Sequence, residues 1–426
     1  MKAIVLISRI LVGSLFIVSG LIKANDTLGF SYKLVEYFEP GVLNIEFLIP
    51  YALPLSFIIC VVEVVLGALV LFGYRIKLTA FLLLGMILFF TWLTFYSAFF
   101  NKVTDCGCFG DAIKLTPWQS FYKDVVLLVL IAVIFLRRNK IEVNTLAHDK
   151  VILPFSLILI VLFSAGMLGW QFPWIFTILL FVGVVAFKYG IKMRGDIPVI
   201  AWIKLVTIAF SAYTLYYLPI KDFRPYAIGK SIPEGMKTAE ELGLEAPVYA
   251  TMYQLKNKST GEEKTVRSDI YMEKKMWEEW DYVDAVGDPF KVKDGYEPPI
   301  HDFGILSADG EDVTFDFLDR SEPFFFVITY DIGKASSSSS DELNQLQKDA
   351  AQKGIDMYGL SASSIEEIAR YKMDNELSFE FFNADAIVLK TIIRSNPGLL
   401  LIENGVIKGK WPHTAYPDLK EAMEQL

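Results

Sequence analysis

Seven stretches of the chain are apolar for roughly twenty residues or more, at about 3–22, 47–73, 78–100, 117–136, 151–170, 172–190 and 198–218. A helix rising about 1.5 Å per residue needs about 20 apolar residues to cross a hydrocarbon core of about 30 Å. Each stretch is therefore long enough to span a bilayer, and the pattern predicts a polytopic α-helical membrane bundle. The first reads as a retained span, because Arg9 interrupts its apolar run and no small-x-small cleavage pattern precedes Asn25. The fifth and sixth are joined only by Gln171, Phe172 and Pro173, which predicts a tight return of the chain.

Beyond Ile220 the pattern shortens. Val248 to Leu255 alternates, Asn257 to Gly261 turns, and Glu263 to Arg267 alternates again, which predicts a hairpin. Ile270 to Tyr282 interleaves aromatic, Met and charged residues and fits a short helix or a surface clamp. From residue 299 onwards, a hairpin around Asp309-Gly310 precedes an apolar strand from Pro323 to Tyr330. A Ser-capped helix at 341–353 stopped by Gly354, a strand at 355–360 and a helix at 364–373 follow. Next come a short strand at 379–382, a short helix at 386–393, strands at 399–402 and 406–411, and a closing helix from Asp418. Alternating strands and helices ending in a hairpin predict an α/β sandwich.

Composition turns this change of pattern into a change of solvent. The chain is 53% hydrophobic and 21% charged, with mean hydropathy +0.40, which excludes disorder and a disulfide scaffold. Up to Ile220 it carries 17 Lys and Arg against 11 Asp and Glu; the remainder carries 23 against 38. The acidic second half argues against nucleic acid as a partner, and the bilayer is the partner of the first. Arg75 and Lys77, Arg137, Arg138, Lys140 and Lys150, and Lys188, Lys192 and Arg194 fall in alternate loops, on the face of Lys2. The positive-inside rule then predicts a bacterial inner-membrane protein with its N-terminus cytoplasmic and everything after Ile220 periplasmic.

Arg9 and Glu63 are the ionisable groups read as lying well inside spans, where each costs roughly 2.5–3.5 kcal/mol if it faces lipid. Both share a helix face with small residues, Gly13 and Gly20 for one and Gly67 for the other, so an Arg9–Glu63 ion pair fixing two helices is expected ahead of a proton relay or substrate site. Cys60 lies deep in the second span as a small apolar residue. Cys106 and Cys108 form a Cys-Gly-Cys in the loop predicted to face the oxidising side, flanked by Asp105 and Asp111. That spacing fits a strained, redox-active disulfide, a static loop staple or two unpaired thiols. His148, His301 and His413 are scattered, and no metal site is expected.

Arg9-x-x-x-Gly13, Ser19-Gly20-Leu21-Ile22-Lys23, Glu63-x-x-x-Gly67, Asp105-Cys106-Gly107-Cys108-Phe109-Gly110 and Lys123-Asp124 resemble the MauE/DoxX family of four-helix membrane proteins over about residues 1–136. The resemblance implies a link to envelope redox chemistry, since family members serve the maturation of a disulfide-rich dehydrogenase or belong to thiosulfate:quinone oxidoreductases. A quinone is implied by that analogy alone, and no cofactor is evident in the residues. The region from Asp302-Phe303 onwards resembles the TlpA-like form of the thioredoxin fold, with Asn396-Pro397 where that family places a cis-proline. The family's Cys-x-x-Cys is replaced by Asp331-Ile332-Gly333-Lys334-Ala335 and five serines, and no cysteine follows Cys108.

The expected organisation is a four-helix MauE/DoxX-like core at 1–136, three further spans at 137–218, an interfacial subdomain at 219–298 and a thioredoxin-like domain at 299–426. Two functions fit it. One is a membrane redox-linked accessory or maturation factor for envelope proteins, with Cys106 and Cys108 exchanging with a client or a thiol oxidoreductase and the last domain as a docking module; Asp105 and Asp111 beside the pair would raise its thiols, which counts against this function, while Asp124 is a further polar candidate beside the Arg9–Glu63 pair. The other is a non-enzymatic scaffold with a structural loop disulfide and a protein-binding domain.

Overall fold

The structure is a computed structural model that describes residues 2–100, 102–103, 107–190 and 195–426, without the side chains of Lys2 and Asp288. Its first half is helical: α1 (Lys2–Asn25), α2 (Thr27–Phe38), α3 (Ala52–Phe72), α4 (Ile76–Phe100), α5 (Pro117–Arg137), α6 (Leu146–Val161), α7 (Phe172–Val185) and α8 (Ile197–Tyr216). With their short 3₁₀ and π extensions, seven of these are long and apolar enough to cross a membrane, among the described residues. The exception is α2, 12 residues in a stretch whose pattern reads as a loop. Asp26 caps it, accepting from the Gly29 N–H at 2.8 Å, and its buried face of Phe30, Leu34, Tyr37 and Phe38 packs into the bundle.

Local chemistry sets the helix limits. Thr116 and Gln119 make a reciprocal capping box at the start of α5, with Pro117 at the first helical position. Gly73 ends α3 in the left-handed region, at φ 77°. α1 and α3 run antiparallel at close range because glycines line the seam. A Cβ on Gly13 would lie 2.4 Å from Leu71 Cγ, and one on Gly20 2.7 Å from Val64 Cγ2. α4 packs along α5, and Val12, Leu66, Leu83, Ile131 and Ile134 join the two pairs into one core. α6, α7 and α8 cover the other side of α1 and α3 through Ile152, Ile160, Leu180, Val184 and Ile203.

The bundle has two distinct ends. At one, Arg9 donates to Asn144 at 2.7 Å, Asn144 to Asp149 at 2.7 Å and Lys188 to Asp149 at 2.7 Å, and Arg75 pairs with Asp196. This end carries the basic loops. At the other lie α2, the 107–116 segment and Leu218 to Arg224, with Asn25 donating to the Lys221 carbonyl at 2.8 Å.

After the short α9 (Ile232–Met236), β1 (Val248–Asn257), β2 (Glu263–Arg267) and β3 (Trp280–Lys293) form an antiparallel sheet in the order β2-β1-β3, with α10 (Ser268–Glu273) packed on it. The predicted hairpin is β1–β2. β3 takes the end of the stretch read as a helix or clamp, and the register shifts against β1, one of them between Val286 and Phe290, break the alternation that marks a strand.

The last unit orders α11 (Thr314–Leu318), β4 (Phe324–Thr329), α12 (Ser340–Gln352), β5 (Asp356–Ser361), α13 (Ile365–Asp374), β6 (Glu380–Asn383), α14 (Ala386–Ile392), β7 (Gly398–Glu403), β8 (Val406–Pro412) and α15 (Leu419–Met423). Its sheet runs β6-β5-β4-β7-β8, with β4, β5 and β6 parallel and β7 and β8 antiparallel. β4 is buried on both faces, as its unbroken apolar run requires: Phe324 and Phe326 meet Phe317 and Leu389, while Phe325 meets Leu343 and Leu346. The serines before α12 give it no side-chain cap; Ser340 instead donates to Asn375 Oδ1 at 2.6 Å, across to the end of α13.

Candidate functional site

Antiparallel α1 and α3 bring together positions whose numbers total about 84, as Gly13 with Leu71 and Gly20 with Val64 show. Glu63 is thus level with the end of α1, and its partner is Lys23. The Lys23 ammonium donates to both Glu63 oxygens at 2.7 and 2.8 Å and to Ser19 Oγ at 2.8 Å; both charged residues are 4% exposed. The expected Arg9–Glu63 pair does not form. Arg9 faces the other end of α3, about 12 residues or roughly 18 Å from the level of Glu63. There its guanidinium donates to the Val70 and Leu71 carbonyls, each at 2.9 Å, so a cation meets the negative end of a helix.

The Lys23–Glu63 pair forms part of the wall of a cavity of about 400 Å³ enclosed by α1 to α5 and the 108–109 segment. Most of that wall is apolar, and Lys23 Nζ sits 5.7 Å from the ring centres of both Phe30 and Phe90. A second ion pair faces the cavity, between buried Asp124 and partly exposed Lys123. Lys123 donates to Asp124 at 2.6 Å, Thr94 donates to the other Asp124 oxygen at 3.2 Å, and Lys123 lies 5.4 Å from the Phe109 ring centre.

Cys108 lines the same cavity, and its carbonyl accepts from Ser19 Oγ at 3.2 Å, which ties the cysteine segment to the Glu63 cluster. Burial pushes the Cys108 thiol up, with Lys123 pulling it down and Asp124 pushing it up. Cys106 and Asp105 lie outside the described residues. Cys60 is fully buried in α3.

The α/β unit sits directly over this segment. Arg394, just after α14, shares its Nε–H between the two Asp26 oxygens at 3.0 and 2.9 Å and donates from Nη2 to Asp111 at 3.3 Å. Tyr32 of α2 donates to the Tyr330 hydroxyl at 3.1 Å. At the junction after α8, Asp222 meets Arg224 at 2.7 Å and Lys410 at 2.8 Å. Burial alone would raise the Asp222 carboxyl, but Lys410 and Arg224 hold it down to about 2; burial and Arg224 bring the Lys410 ammonium down to about 8 against the pull of Asp222. The Asn396-Pro397 bond is cis, and it lies beside the Asp331–Ser336 segment: Asn396 Nδ2 donates to the Asp331 carbonyl at 2.6 Å, and the Ser336 N–H donates to the Asn396 carbonyl at 2.9 Å.

One comparison matches the helices that build this site. Residues 1–137 match the methylamine utilisation protein MauE family. The matched stretch runs from α1 to the end of α5 and holds Lys23, Glu63, Cys108, Lys123 and Asp124. Protein TlpB of Flavobacterium psychrophilum is 28% identical over 138 residues, 31% of this chain and 36% of that protein, so the chain matches about a third of its relative's length. No solved structure matches. Together with the seven spans these likenesses support a MauE-like membrane protein.

Within the MauE-like stretch the structure brings Glu63, Asp124 and Cys108 to one cavity and leaves Arg9 at the opposite end of α3. Lys23 is the residue that reading the sequence passed over. Ending the first span at residue 22 made Lys23 a boundary residue, whereas it continues the Arg9, Gly13, Phe16, Gly20 stripe by one more step of three.

Proposed function

We propose that this protein is a membrane-embedded redox accessory factor for the maturation of envelope proteins, with Cys106 and Cys108 as an exchanging pair. The observation that carries the reading is the setting of Cys108, between an apolar cavity bearing the buried Lys23–Glu63 pair and the Lys123–Asp124 pair and an α/β unit that grips the same segment through Arg394 and Asp111. In the exchange, a client thiolate attacks the loop disulfide, a second client thiol displaces the loop sulfur, and two electrons and two protons pass to the loop. The α/β unit has the sheet order and the cis Asn396-Pro397 bond expected of a thioredoxin-like domain, and without a cysteine it serves as a holder and docking surface.

The scaffold reading has its own support: burial pushes the Cys108 thiol up, which slows a nucleophile. The two part in a trapping experiment. A Cys108→Ser variant keeps Cys106 able to form a mixed disulfide that nothing in the loop resolves. A reproducible covalent client, absent from a Cys106→Ser/Cys108→Ser control, is the expected result; a folded variant that captures nothing leaves the scaffold.

A further inference from the structure

A second cavity, a cleft of about 420 Å³, lies where the α/β unit meets the bundle, between α2 and α14. Asp26, which lines it, directly follows α1, and Pro219, Lys221 and Phe223, which also line it, follow α8 within a few residues. At the end of α8 the exposed Tyr213, Tyr216 and Tyr217 form the kind of aromatic belt that marks the boundary between lipid and water. The cleft therefore sits at the depth of lipid headgroups.

Most charges around it cancel in pairs. Arg394 is held by Asp26 and Asp111, Arg224 by Asp222, Lys33 by Glu36 at 3.1 Å and Lys23 by Glu63. Two ammonium groups do not cancel. Lys221 donates to the Leu168 and Gly169 carbonyls at 3.3 and 2.7 Å, and partly buried Lys390 of α14 lies 5.6 Å from the Tyr32 ring centre and 5.9 Å from that of Tyr330. Among the described residues neither has a carboxylate partner, and Lys390 has no hydrogen-bond acceptor. Tyr330 accepts from Tyr32 at 3.1 Å, and among the described residues its own hydroxyl proton has no acceptor. The Glu39 carboxylate also lines the cleft, exposed beyond the far end of α2.

A partly buried ammonium with three uncommitted N–H groups, beside a phenol with one more, calls for an oxyanion. Ile22, Phe30, Phe223 and Ile387 make much of the remaining wall apolar, which a free anion would leave wet. A zwitterionic lipid brings its own cation and leaves Lys390 and Lys221 unbalanced. We infer that the cleft binds the headgroup of an anionic phospholipid of the phosphatidylglycerol class, its phosphate accepting from Lys390 and Tyr330 and its glycerol backbone against the apolar wall. Bound there, the lipid touches α14 and α2 together and ties the α/β unit to the bundle. The site uses no thiol, so it stands or falls apart from the proposed exchange.

The test titrates the full chain in detergent with dioleoylphosphatidylglycerol and counts bound lipid by native mass spectrometry. One saturable lipid per chain is expected, with dioleoylphosphatidylcholine at least tenfold weaker. Lys390→Gln should weaken phosphatidylglycerol about fivefold, the worth of one lysine beside an anionic lipid, and leave phosphatidylcholine unchanged, while Lys390→Arg should bind like the parent. In nanodiscs, phosphatidylglycerol should slow hydrogen exchange in α2 and α14 at least threefold in the parent and leave Lys390→Gln unaffected. Equal affinity for the two lipids, a Lys390→Gln protein that binds phosphatidylglycerol like the parent, or equal slowing of exchange in both proteins overturns the site. Displacement of the lipid by inorganic phosphate at about the same concentration would make the ligand the free anion, and overturns the lipid assignment.

Discussion

At the scale of single residues, the Lys23–Glu63 pair sets a clear expectation. Two charges are held out of water by each other and by Ser19, so removing one strands its partner, at about 3–5 kcal/mol for a buried pair. Glu63→Gln should lower stability by about that amount, measured as unfolding of the detergent-solubilised protein. A Lys23→Met/Glu63→Leu protein, with neither charge, should recover much of the loss; if it is as unstable as Glu63→Gln, the pair is not what the geometry shows. Cys108 sets a second expectation. With its thiol pushed up by burial, its thiolate gains population only as pH rises beyond the ordinary cysteine range near about 8.5. Alkylation of Cys108 in a Cys106→Ser protein should therefore be slow at pH 7 and have its midpoint above that value, with fully buried Cys60 silent; a midpoint below about 8 would contradict it. Glu63, Asp124 and the cysteine motif were legible as candidate residues because charge and thiol are conspicuous in apolar sequence. Their grouping was not, because the register of α1 on α3 comes from glycine contacts that a hydropathy pattern does not encode.

At the scale of elements, the seven spans and the strands of the second sheet were legible from run length and alternation, since each element satisfies its own period. α2 and β3 were not. α2 mixes apolar and polar positions over only 12 residues, and its helical state rests on the Asp26 cap and on packing against the bundle. β3 is irregular against β1. Asp26 has two tasks, capping α2 and receiving Arg394, so α2 is also the element through which the α/β unit is held. Arg394→Gln should remove the shared Nε–H contact to Asp26 and the bond to Asp111, weakening the docking by roughly 1.5–3 kcal/mol. Hydrogen exchange in α2 and in residues 107–112 should then accelerate at least tenfold, while amides of β4 and β7 inside the α/β core keep their protection. Equal acceleration in both places would mean that Arg394 supports the fold of its own unit and not the docking.

At the scale of the whole molecule, the two ends of the bundle differ in charge and in what they carry, and function depends on which end faces which compartment. The loop containing Arg75 and Lys77 and the segment with Arg137, Arg138 and Lys140 lie at the end opposite the α/β unit, where Arg75 reaches Asp196. Short basic loops tend to stay cytoplasmic, so the expectation is that the α/β unit and the cysteine segment face outward. Seven crossings would put the region after Ile220 on the side opposite the N-terminus, which is consistent with the charge argument but does not by itself say which side is outside. The exchange reading requires this orientation: a disulfide persists on the oxidising side of the membrane and is reduced in the cytosol. Alkaline phosphatase, which folds only where its own disulfides form, should be active when joined after Leu426 and inactive when joined after Lys140. The reverse pattern would put Cys108 in a reducing compartment, leaving the cavity and its ion pairs in place but removing the oxidising supply on which the loop chemistry rests.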